Sequence, residues 1–174
     1  MCELANWSVS ACMENGGIDE FIVYEISDRA TLTVANGAVT ALTMAVGTKA
    51  YRWTPDMESA NATETTTGNR VNNSVMNAQT AMIVFNNDLD ATVNTIEDLS
   101  RAKLGVIVKK SDPDNAVYRH YGLRNGMTLE TGEGVMGQLY EDLRGHTLNF
   151  VGKELAKAPS IDSTIVDALL IVAS

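Results

Sequence analysis

Between residues 56 and 81 the chain reads DMESANATETTTGNRVNNSVMNAQTA, a stretch crowded with Thr and Asn and nearly empty of large apolar residues, set between two apolar, strand-like runs. β-Branched Thr favours extended backbone, and Asn with Gly68-Asn69 supplies turn chemistry, so the segment reads as a long polar hairpin arm rather than a core element. A surface loop of the same composition is the alternative. A two-stranded ribbon standing alone is marginal in water, so an arm of this kind implies neighbours that hold it and points to assembly rather than catalysis.

At 174 residues and 45% hydrophobic, the chain is long enough for one well-buried core, and a single domain over residues 1–174 is expected. Lys and Arg number 13 against 22 Asp and Glu, a formal charge of −9. That balance argues against a surface built to grip nucleic acid, which needs clustered cations. No apolar run approaches the roughly 18–20 residues of a membrane span, and the N-terminus lacks the basic region of a signal peptide. The expectation is a protein made in a cytosol with no membrane partner. Cys2 and Cys12 stand without a second pair or a His cluster and read as free thiols.

Strand-like runs recur along the chain with turn signals between them. Gly16-Gly17 releases FIVYEIS, apolar on both faces as a central strand would be; TLTV and VTALTMAV flank Asn36-Gly37, a strong hairpin signal; TAMIVF follows the polar arm. One segment has a helical period. From Asp90 to Lys103 the apolar positions Val93, Ile96, Leu99 and Ala102 fall three apart, with Asp88 or Asp90 to cap the start and Gly105 to end it. LGVIVK reads as another strand, residues 115–121 and 127–131 as two more, and QLYED is expected to pair with HTLNFV across Asp142 to Gly145. Residues 161–173 are too apolar for a free tail and are expected to form a final strand or a docked arm.

No motif carries catalytic or cofactor chemistry. Gly132, Gly134 and Gly137 satisfy G-x-G-x-x-G, with Glu154 twenty residues beyond Gly134, but the helix that must follow the glycines is missing and Glu133 would meet a pyrophosphate with like charge. The glycines instead suit a crowded strand or loop. His120 and His146 sit among strand-like residues with no ligand or acid at metal-binding spacing, so no metal site is expected. Asp88 with Asp90, and Asp112 with Asp114, lack the remainder of a calcium loop. Ser10 and Cys12 have no local His partner. Asn6, Asn61 and Asn72 begin glycosylation sequons that matter only in a secreted chain. Neither an enzyme nor a cofactor is expected.

The order of elements, a strand meander, a long polar hairpin, a buried strand, one amphipathic helix and closing strands, resembles the tail-tube fold of tailed phages and contractile injection systems over most of residues 18–155. Gly16-Gly17-Ile18 opening the first strand, VTALTM after an Asn-Gly turn, Gln79-Thr80 entering a buried strand and Asp142 to Gly145 in the last hairpin are similar to tube-like proteins of phages infecting Bacteroidota. The resemblance implies a mainly β fold with one helix, a β-sandwich or barrel with a hairpin arm. It implies six subunits in a ring whose inner strands close a shared barrel, rings stacked into a tube, and a lumen that conveys DNA without binding it specifically. The place implied is the virion tail, assembled in the host cytoplasm beside other tail or connector proteins. Asn61, Thr63, Thr65, Thr67, Asn69, Asn72, Asn73 and Asn77 are then the expected inter-subunit or inter-ring contacts. The apolar C-terminus and the Cys-bearing start depart from the simplest tube pattern and keep a ring between portal and tail open. A host-surface or carbohydrate-binding β module is a third reading, disfavoured by an aromatic content of 6% spread along the chain.

Overall fold

The computed structural model describes residues 17–56, 58–71, 73–86, 90–111, 117–136 and 144–172, with backbone alone for 90–93. Eleven strands and two helices follow in the order β1 (Ile18–Glu25), β2 (Arg29–Ala35), β3 (Ala38–Met44), β4 (Tyr51–Trp53), β5 (Ala60–Asn69), β6 (Ser74–Phe85), α1 (Asp90–Arg101), β7 (Leu104–Lys110), β8 (Tyr118–Tyr121), β9 (Thr128–Val135), β10 (Gly145–Glu154), β11 (Ser160–Ile161) and α2 (Ser163–Leu169). They make a sandwich. One sheet has the order β2-β3-β11-β8-β7-β1-β4, the other β5-β6-β10-β9.

The both-sides-apolar reading of β1 holds, and its physical reason is a second layer on each side. Phe21 and Val23 face the four-stranded sheet in a cluster with Ala81, Ile83, Leu148 and Phe150. Ile22 and Tyr24 face the opposite way, toward Val166 and Leu169 of α2. Each large side chain fully buried in this way contributes roughly 1.5–3 kcal/mol. Phe21 stacks on Trp53 at 5.8 Å between ring centroids, and Trp53 meets Phe85 edge-on at 5.2 Å. The Asn36-Gly37 turn forms as its sequence demands, with φ of 52° and 75°.

The polar stretch is a hairpin. β5 pairs β6 without a register break from Ala60↔Ile83 to Asn69↔Ser74. Its middle is held by a polar anchor. Gln79 donates to Glu64 Oε1 (2.9 Å) and accepts from the Gly122 amide (2.8 Å). Glu154, 4% exposed, accepts from the Arg124 and Asn125 amides at 2.8 and 2.7 Å. Glu154→Ala strands both amides and is expected to cost about 2–4 kcal/mol, whereas Glu154→Gln, which keeps an acceptor, costs about 1; urea midpoints at constant m-value measure the difference.

Three expectations are corrected. Residues 163–169 form α2 instead of a strand or arm: Asp162 caps the helix, accepting from the Thr164 amide, and Val166 and Leu169, three apart, are buried on one face. The described residues therefore hold two α-helices, not one. QLYED lies outside the described residues, and the neighbours of HTLNFV are other strands: β10 is flanked on one side by β6 (His146↔Phe85 onward) and on the other by β9 (Gly145↔Val135 onward). Gly105 lies inside β7, beyond the helix end at Arg101.

Candidate functional site

The paired rows of the four-stranded sheet alternate cleanly between two faces. Inward rows read Ala60–Ile83–Leu148–Gly132 and Ala62–Ala81–Phe150–Leu129 across the strands. Outward rows read Asn61–Met82–Asn149–Thr131 and Thr63–Thr80–Val151–Thr128, with Val84–Thr147–Glu133 at one end and Thr65–Ala78–Lys153 at the other. α1 packs on the inward side, where Ile96 Cγ2 lies 3.7 Å from the point a Gly132 Cβ would occupy. In these rows the outward face carries six Thr and two Asn beside Ala78, Met82, Val84 and Val151, with one Lys and one Glu, and Glu130 at the bulge accepts from Asn149; none of the described helices covers it.

Among the described residues no strand pairs with the outer edge of β5 or of β9. Neither carries a proline or a lysine, but β9 bulges at Glu130, between Leu129 and Thr131, and β5 carries the inward carboxylate of Glu64, both features that discourage chance pairing at an edge. The larger sheet is protected at its ends too. β4 has only three residues, and the β2–β3 ladder shifts register twice, which twists that edge.

Asn61, Thr63, Thr65 and Thr67 all point outward and are exposed. Asn69 and Asn73 lie at the hairpin turn, where Asn69 Oδ1 accepts from the Val71 amide (2.9 Å) and Asn73 has φ 49°. Asn72 lies outside the described residues. Asn77 differs from its companions: it is 2% exposed, accepts from Thr66 Oγ1 (2.7 Å) and donates to the Leu155 carbonyl (3.0 Å), so its side chain is used within the chain. Sequence reasoning missed Thr131, Thr147 and Asn149, although the alternation in HTLNFV carried the signal. It also passed over Val71, Val75 and Met76, exposed at 93%, 55% and 36% around the hairpin tip.

Two buried polar side chains remain. Tyr24 Oη and His120 Nε2 lie 2.7 Å apart in the larger sheet. Burial, with the Arg29 charge second, lowers the His120 pKa to about 3; burial also raises Tyr24 to about 12, opposed by Arg29. Both are neutral at pH 7 and buried, Tyr24 at 1% and His120 at 0% exposure, so the pair reads as core architecture. Of the glycine motif, Gly132 and Gly134 lie within β9, where a phosphate-binding turn would require a strand end leading into a helix. Among the described residues no group of three or more His, Cys, Asp and Glu could hold a metal, and no helix is long and apolar enough to cross a membrane.

Compared with family models, curated proteins and solved structures, the chain matches none.

Proposed function

We propose that this chain is the structural subunit of a ring in a phage-type tail. The four-stranded sheets of neighbouring subunits join β5 to β9, close a shared barrel and turn the Thr and Asn face toward a lumen through which DNA passes. The observation that carries this reading is one sheet whose outward face is mostly Thr and Asn, covered by none of the described helices, with two outer edges that pair with no described strand. Sharing a barrel removes both edges at once. Hydroxyl and amide side chains keep the wall hydrated, and Lys153 is the single cation its paired rows present, too few to hold a polyanion. The net charge of −9 acts in the same direction by repelling phosphate.

Edge pairing is testable by cross-linking. In a background with Cys2 and Cys12 replaced by Ser, variants carrying Thr63→Cys or Thr65→Cys together with Thr131→Cys are treated with a short bis-maleimide and run on denaturing gels. A ladder of covalent oligomers ending at ring size is expected when both cysteines are present, and none with either alone. Purely monomeric bands from every pair would contradict the shared barrel.

A further inference from the structure

A cavity of about 480 Å³ opens between α1 and the β1–β4 edge. Its floor is apolar, with Trp53, Leu99 and Leu104, and its mouth carries three carboxylates, Glu25, Asp28 and Asp98, beside the exposed ring of Tyr51. The chain's own Lys49 already lies 5.5 Å above that ring, so this aromatic surface accepts a cation. A site of apolar floor, aromatic wall and acidic mouth fits a cationic side chain presented beside aliphatic ones.

The β5–β6 hairpin tip has that composition. Arg70 is exposed in its turn and no ion pair among the described residues engages it; Val71 follows, 93% exposed, with Val75 across the turn. The tip cannot fill the cavity of its own chain. Trp53 of the cavity wall packs on Phe85, the last residue of β6, whereas the tip adjoins Ser74, the first. Eleven residues of extended strand separate them by roughly 35 Å.

Resting on the ring reading above, we propose that Arg70 and Val71 of one copy insert into the Glu25–Asp28–Asp98 cavity of a second copy and that this contact stacks one ring on the next. Because knob and socket lie at opposite ends of β6, the contact is head-to-tail and leaves a free knob and a free socket at the two ends of any stack, so it propagates. Arg70 meets the acidic mouth with opposite charge and carries exposed Val71 and Val75 beside it to meet the apolar floor, a combination of charge and shape that fits this socket.

Sedimentation velocity of wild type, Arg70→Glu, Asp98→Lys and the double exchange, at low and moderate salt, tests the contact. Each single reversal is expected to weaken head-to-tail association about tenfold or more, and the double exchange to restore it to within about threefold of wild type, as direct pairing requires. Asp98 is exposed, so its substitution leaves the core intact, and circular dichroism checks the fold of each variant. Unchanged association in Arg70→Glu, failure of the double exchange to rescue, or no association of wild type at any concentration overturns the proposal. Cross-linked rings with stacking indifferent to Arg70 would sink this contact and leave the ring standing. Charge-dependent association without rings would do the reverse.

Discussion

Gly105→Ala is expected to destabilise the protein by more than about 3 kcal/mol, lowering Tm by roughly 6–12 °C. The cause is the path of one ring. Tyr24 stands opposite Gly105 in the β1–β7 ladder, and its ring lies flat across β7 to reach His120 on β8. An added Cβ at residue 105 would sit 2.4 Å from Tyr24 Cζ and 2.5 Å from Cε1. Although these atoms belong to a side chain, Tyr24 is 1% exposed and has nowhere to swing. The clash must either push the ring off His120 or part β1 from β7. Combining Gly105→Ala with Tyr24→Leu should therefore be far less harmful than the sum of the two single changes. Thermal unfolding of the three variants measures this, and simple additivity would show that the ring is not the obstacle.

The second large effect is acid lability set by His120. Folded His120, lowered to about 3, stays neutral where an unfolded imidazole with its ordinary value of 6.5 takes up a proton. Its stability contribution is thus fully present above about pH 6.5 and is lost as pH falls, at up to ~1.4 kcal/mol per unit, on the order of 4 kcal/mol by pH 3. His120→Leu should remove that slope. At pH 7 the variant is expected to lose about 1–3 kcal/mol, because the buried Tyr24 hydroxyl loses a partner. Urea unfolding of both proteins from pH 7 to pH 4 separates the two contributions. Equal slopes would place the protonated imidazole in a site that tolerates charge.

The hairpin and the central strands were legible because their patterns are local. An Asn-Gly turn, a two-sided apolar run and a Thr-Asn alternation state their conformation within a few residues. Helix α2 was not, because Ile165, Val166, Leu169 and Leu170 make a run whose apolar content alone suits a strand equally well, and the cap at Asp162 decides the matter. The partners of β10 escaped for a different reason. Its neighbours β6 and β9 are chosen by a sheet assembled from distant segments, while the sequence advertises only the adjacent QLYED. Asn77 looks in sequence like every other Asn of the hairpin. Its burial depends on Leu155, nearly eighty positions away, whose carbonyl receives its amide. Glu154 drew notice through a dinucleotide pattern, and its carboxylate instead binds two loop amides. The outward Thr and Asn rows were half visible, on β5, and needed the β6–β10–β9 register to become a face.

The most direct measurement is negative-stain electron microscopy of the purified wild-type protein over a range of concentrations and salt. Closed rings with a stain-filled centre, extending into hollow tubes as concentration rises, are the predicted result. Compact monomers under every condition would contradict it.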